Sequence, residues 1–141
     1  MAVLHGLVRD SVLDSYAVLA FLFGERGHAR IVSRFEKAAQ EGRPLFIAAP
    51  NWAEVRYIVE RKVGLVRWRE ARETLLGLPL EIVSADQGLA EAAGAIKAGH
   101  KMSLADCFAA ALAKRLKADL HTGNPEFAAV EHDIKIVWLR A

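Results

Sequence analysis

A single cysteine, Cys107, in 141 residues excludes an internal disulfide and fits a reducing compartment. No apolar run reaches the length needed to span a bilayer. Charge of one sign is also scarce. The net charge is only +2, so bulk charge gives no case for nucleic acid. The five histidines (His5, His28, His100, His121, His132) lack metal-ligand spacing, which argues against zinc. There is no glycine-rich phosphate loop and no G-x-S-x-G nucleophile turn. Linkers, repeats and low-complexity tracts are missing too, so one domain over residues 1–141 is expected. The opening Met1 to Asp10 is mildly apolar, but Arg9 and Asp10 interrupt it where a signal peptide needs its apolar stretch. A cytoplasmic protein with no membrane association is the expectation.

What is present is a hydrophobic fraction of 53% with 26% charged residues, the mix of a folded globule with a real core. Strand and helix patterns alternate along the chain. Val12-Leu13 reads as a strand end, and Tyr16–Phe23 as a helix stopped by Gly24 and Gly27. His28–Glu41 reads as a helix with the stripe Ile31, Val32, Phe35 and Ala39. Leu45–Ala48 is a compact strand. After Pro50, Asn51-Trp-Ala-Glu54 has capping-box spacing ahead of a helix that turns Val55, Ile58, Val59 and Val63 inward. Leu65–Leu76 is a further helix, Leu80–Val83 a third strand, and Asp86 caps a helix from Gln87 to Ala98. Ser103 opens the next helix, ending near Lys117, with Leu104, Phe108, Ala111, Leu112 and Leu116 toward the core. Asp119–Thr122 is the fourth strand, breaking at Gly123 into a polar loop, and Ile134–Leu139 is the last. This alternation predicts a mainly parallel sheet with helices on both faces.

Right-handed crossovers bring successive strand ends to one edge, where open α/β sheets place their sites. Asp14 follows the first strand, Glu54 the second and Glu126 the fourth, while Asp106 opens the helix before the fourth. Any one of these acids also reads as a helix cap. Four at equivalent topological positions fit a shared site better. Crowded carboxylates raise one another's pKa, and a hard divalent cation removes that cost. An oxygen-only set selects Mg²⁺ or Mn²⁺. Arg56, Arg61, Lys62, Arg67, Arg69 and Arg72, with Trp52 and Trp68 among them, form a basic middle region. Interspersed acids make a solvated face laced with helix pairs the favoured reading over an RNA or partner surface.

Four stretches carry a resemblance: Val12 to Leu22, Asn51-Trp-Ala-Glu54, Leu104 to Ala113, and Thr122-Gly-Asn-Pro-Glu-Phe127. Together, in this order and at these intervals, they resemble the motifs of PIN-domain ribonucleases, and among those the VapC-type toxins of toxin–antitoxin pairs. The resemblance covers nearly the whole chain. It implies a three-layer α/β sandwich around a five-stranded sheet, a Mg²⁺-dependent endoribonuclease acting on RNA, a homodimer and a cognate antitoxin protein. Asp14, Glu54 and Asp106 match the family's first three acidic positions. Asn124 stands where the family usually has a fourth aspartate, a departure, and Glu126 occupies the following acidic position. The implied roles are metal ligation by Asp14, Asp106 and Glu126, with Asn124 as a further candidate. Glu54 would hold water or act as a base, and Ser15 and Thr122 would orient the ligands. The alternative left by Asn124 is a catalytically weak or inactive PIN-like module that binds RNA or protein.

Overall fold

The computed structural model describes residues 9–140, and the apolar start, Met1 to Val8, lies outside them. Five strands form one sheet: β1 (Ser11–Leu13), β2 (Leu45–Ala48), β3 (Leu80–Val83), β4 (Asp119–Thr122) and β5 (Ile136–Trp138). Their order is β3-β2-β1-β4-β5, and every pairing is parallel. Helices α1 (Ser15–Phe23), α2 (His28–Glu41), α3 (Ala49–Val63), α4 (Leu65–Leu76), α5 (Gln87–Gly99) and α6 (Leu104–Leu116) connect them. A 3₁₀ segment, Pro125–Val130, follows β4 in place of the expected loop.

Strand β2 is wholly apolar, as expected where both sheet faces are covered. Alternation along the strands splits the core in two. Val12, Ala48 and Leu120 face Leu89, Phe108, Leu112 and Phe127 on the side of α5 and α6. Leu13, Leu45 and Ile47 face Val18, Ile31, Phe35, Val55 and Trp68 on the side of α1 to α4. The result is three layers with β1 central. No helix among the described residues is long and apolar enough to cross a membrane.

Most element boundaries match the sequence pattern, but several details differ. Helix α3 starts at Ala49, with Pro50 in its first turn, where a missing N–H costs nothing. Asn51-Trp-Ala-Glu54 is therefore not a capping box, and Glu54 lies in the second turn. The stripe of α2 runs Ile31, Phe35 and Ala38, while Ala39 is exposed. Leu104 is 54% exposed because the first side chain of a helix points back off its open end. Val63, at the last position of α3, is also exposed. Trp68 is 2% exposed and packs edge-on against Trp52, so it belongs to the core and is no partner surface. On the exposed faces of α3 and α4, Arg56 pairs with Glu60 and Arg67 with Glu70, the lacing that the interspersed acids imply.

Candidate active site

Strand β1 ends at Leu13 and the chain turns directly into α1. Asp14 takes the N-cap position in extended conformation, and its Oδ1 accepts from the Ala17 amide at 2.8 Å. The cap reading of Asp14 is thus correct, yet it uses only one oxygen. The other, Oδ2, accepts from the Thr122 hydroxyl at the end of β4. Thr122 Oγ1 also accepts from the Asn124 amide at 3.0 Å, so the β4 turn fixes the hydroxyl that fixes the carboxylate. Asp14 is 1% exposed and Thr122 fully buried.

Asp106 lies in the first turn of α6. The N-cap there is Ser103, whose hydroxyl accepts from the Asp106 amide at 3.2 Å. The cap work is done by serine, and the Asp106 carboxylate turns instead toward Asn124, which donates Nδ2 to its Oδ2 at 3.1 Å. Asn124 itself caps the 3₁₀ segment, its Oδ1 accepting from the Glu126 amide at 3.0 Å. Glu54 reaches in from α3, taking hydrogen bonds from Ser15 Oγ and, at 3.3 Å, from Tyr57 Oη.

These contacts bring the acids predicted from sequence to one edge of the sheet. Burial pushes the Asp14 carboxyl up to about 7 against the pull of its Thr122 and Ala17 hydrogen bonds, and the charges of Asp106 and Glu54 push the same way. Burial likewise lifts Asp106 to about 6, with Ser103 opposing and Glu54 and Glu126 adding repulsion. None of the four acids forms an ion pair with a lysine or arginine among the described residues. Among those residues, no three acidic, histidine or cysteine side chains stand together as a ready ligand set. The donors are nevertheless the right kind for Mg²⁺. That ion binds one or two carboxylates and keeps several waters, and the uncompensated charge at Asp14 and Asp106 is what it would neutralise. Glu126 is exposed beside Asp106 and Asn124.

One residue here was missed from the sequence. Asn51, read as a cap, is fully buried in the first turn of α3 and donates Nδ2 to the Ala105 carbonyl at 3.1 Å. It ties the helix carrying Glu54 to the turn carrying Asp106. Its Oδ1 has no partner among the described residues. Capping-box spacing concealed this role, because the spacing looks the same whether the asparagine caps a helix or lies inside it.

The chain is thus an all-parallel α/β sandwich with acids gathered at the carboxyl edge of its strands. The family model for the PIN domain matches residues 11–133, and the chain belongs to that family. Among solved structures, it resembles the DNA-bound VapBC of Salmonella typhimurium at 20% identity, covering 94% of this chain and 99% of that one with a TM-score of 0.75. VapC20 of Mycobacterium tuberculosis, a sarcin–ricin loop cleaving toxin, matches at 15% identity, 94% and 100% coverage and a TM-score of 0.69. A toxin–antitoxin complex from Klebsiella pneumoniae matches at 24% identity, 91% and 96% coverage and a TM-score of 0.60. At these identities the likeness shows the fold alone. No curated protein matches the sequence.

Proposed function

We propose that the protein is a Mg²⁺-dependent endoribonuclease, the toxin of a toxin–antitoxin pair, that hydrolyses phosphodiester bonds in RNA. The observation that carries this reading is a pair of buried carboxylates, Asp14 and Asp106, held above the ordinary carboxylate range with only neutral hydrogen-bond donors around them. Apart from the single cap bond of Asp14, such a pair costs stability unless a cation completes it.

Asp14, Asp106 and Glu126 are the residues assigned to hold Mg²⁺ or Mn²⁺, with the Asn124 amide oxygen in reserve. When bound, the cation neutralises charge on the phosphodiester and makes water a competent nucleophile at neutral pH. Thr122 and Asn124 each hold one oxygen, of Asp14 and of Asp106 respectively, and so orient the two carboxylates. Glu54 is the candidate base. Ser15 and Tyr57 hold its two oxygens, which leaves it aimed at the substrate side and able to take a proton from the attacking water.

The partner reading rests on a cleft of about 420 Å³ between α1 and the α3–α4 pair, lined by Phe21, Phe23, Val59, Val63 and Ala71. Its apolar walls suit a helical peptide, and we assign it to the cognate antitoxin. Exposed Val66 and Leu65 at the start of α4 supply apolar surface for a homodimer.

The direct test is cleavage of total cellular RNA by the purified protein in Mg²⁺ and in excess chelator. Cleavage that needs the metal supports the reading, whereas no cleavage, or cleavage indifferent to chelator, ends it. The Asn124–Asp106 hydrogen bond favours one second reading. An amide bonded to a ligand oxygen weakens metal binding, and a PIN module that binds RNA or protein without cutting it follows. RNA binding with no Mg²⁺-dependent cleavage would select that alternative.

A further inference from the structure

Beside the acids, on the β5 side, lies a cleft of about 390 Å³ that no step of the hydrolysis uses. Its floor and walls include Tyr16, Gly123, Trp138, Arg26 and Arg140, with Glu131 at the rim. Tyr16 directly follows Asp14-Ser15, and Gly123 stands between Thr122 and Asn124, so the cleft opens where the acid cluster ends. We propose that it is a nucleotide subsite, which takes a base flanking the scissile phosphate of single-stranded RNA. This rests on the ribonuclease reading above.

Three observations converge on it. The first is the seating of Tyr16. A Cβ added at Gly123 would clash with the edge of the Tyr16 ring, so the absence of a side chain there is what lets the ring approach the β4 turn. Gly123 does not have a positive φ, so close approach rather than backbone freedom explains the glycine. The ring is nonetheless 37% exposed. A part-exposed aromatic seated against backbone offers a surface on which a base can stack.

Charge is the second. Arg140 lies over the Trp138 ring with its guanidinium 5.1 Å from the centroid, and Arg26 lines the same cleft. Neither arginine forms an ion pair with an acid among the described residues. Two free guanidiniums against one rim glutamate give a cationic cleft beside an anionic cluster. That is the alternation a polyanion needs if one phosphate is to sit at the acids and the next beside them.

Continuity is the third. On the opposite flank of the cluster, Tyr57 donates to Glu54 and carries Arg61 over its ring at 4.9 Å. Aromatic and cation therefore stand on both sides of the acids along one sheet edge. This suits an extended single strand, whose bases are free to turn onto protein, and not a duplex, whose bases are already stacked.

The test uses Asp106→Asn protein in Mg²⁺, inert if the nuclease reading holds, and a fluorescent single-stranded RNA oligonucleotide followed by anisotropy. Adding Tyr16→Ala is expected to weaken binding about tenfold, within the range for losing one base stack. Tyr16→Phe restores it, since the ring and not the hydroxyl makes the stack. Arg26→Ala with Arg140→Ala weakens binding and lowers the slope of log affinity against log salt by roughly 1.4, from two phosphate contacts on a single strand. Melting curves are run on each variant to confirm folding. Folded Tyr16→Ala and double-arginine proteins that bind like their parent would overturn the subsite, as would equal affinity for a duplex of the same sequence. If the Asp106→Asn parent still cuts the RNA or fails to bind it, the nuclease reading itself falls and takes the subsite with it.

Discussion

The two edges of the sheet carry similar residues and treat them oppositely. At the edge where the strands begin, Asp119 meets Arg9 at 2.5 Å and Asp10 meets Arg43 at 2.5 Å. His121, buried on the same side, bonds Ser11, which also accepts from Arg34. Asp119 and Asp10 each have an arginine. At the edge where the strands end, Asp14, Glu54, Asp106 and Glu126 share hydroxyls and an amide and have no cation of their own. A fold that pairs Asp10 and Asp119 with arginines at one end and leaves acids without a cation at the other is what the proposed metal site would require. Local strain and repulsion gather at functional sites and are tolerated because the rest of the structure holds them.

The largest expected effect tests that contrast directly. Asp106→Asn should lower metal-dependent RNA cleavage by more than about a hundredfold, since even groups that only orient metal ligands cost 10–100-fold. The fold should persist, because Ser103 caps α6 and the amide still bonds locally. Cleavage assays and thermal melting of the two proteins report both. Full activity in the variant removes Asp106 from the site.

The next effect is on stability against pH. Asp14 has its pKa raised from 3.8 to about 7, so the folded state holds a proton that the unfolded chain gives up. Its contribution is fully present below about pH 4 and is lost as pH rises through 7. His121 works the other way. Burial, aided by Arg34 and Arg30, lowers it from 6.5 to about 4, so its contribution is present above 6.5 and lost as pH falls through 4. The two offset each other in wild type. In chelator, the melting temperature of wild type minus that of Asp14→Asn should fall between pH 4 and 7, and Mg²⁺ should flatten the difference. A difference already flat without metal contradicts the pKa assigned to Asp14.

A smaller effect is expected at Asn124. Asn124→Asp adds a carboxylate where the amide now donates to Asp106. We expect Mg²⁺ affinity to rise about tenfold, roughly 1.4 kcal/mol, after repulsion from the other acids is discounted. The melting temperature in chelator should drop, because a donor to Asp106 has become a like charge. Calorimetric titration and melting test the two signs separately. Unchanged affinity would mean that Glu126 already supplies the charge.

The smallest effect belongs to the opposite edge. Arg43→Ala breaks an ion pair whose side chains are 39% and 32% exposed, so about 0–1 kcal/mol of stability is lost and cleavage is unchanged. A large loss of cleavage would show that the two edges are coupled.

Much of this was legible in the chain. The strands Leu45–Ala48 and Leu80–Val83 and the helices His28–Glu41 and Leu65–Leu76 have the bounds that their apolar periods and flanking glycines predict. Asp14 shows how two readings of one residue can both hold, since a carboxylate has two oxygens and a cap needs one. Glu54 and Asn51 show the limit. Spacing alone placed both at a helix start, but α3 begins earlier, and Asn51 spends its amide on a carbonyl of a different helix.

The sequence by itself determined the order of strands and helices, and through the crossover rule the edge on which the acids would gather, because those properties depend on local period and chain direction. Only the tertiary structure decided which oxygens are occupied, how Thr122 and Asn124 hold Asp14 and Asp106, and why Gly123 lies beneath Tyr16. Those are contacts between segments distant in sequence, set by packing across the sheet edge to within an ångström, and no pattern along the chain encodes a distance of that kind.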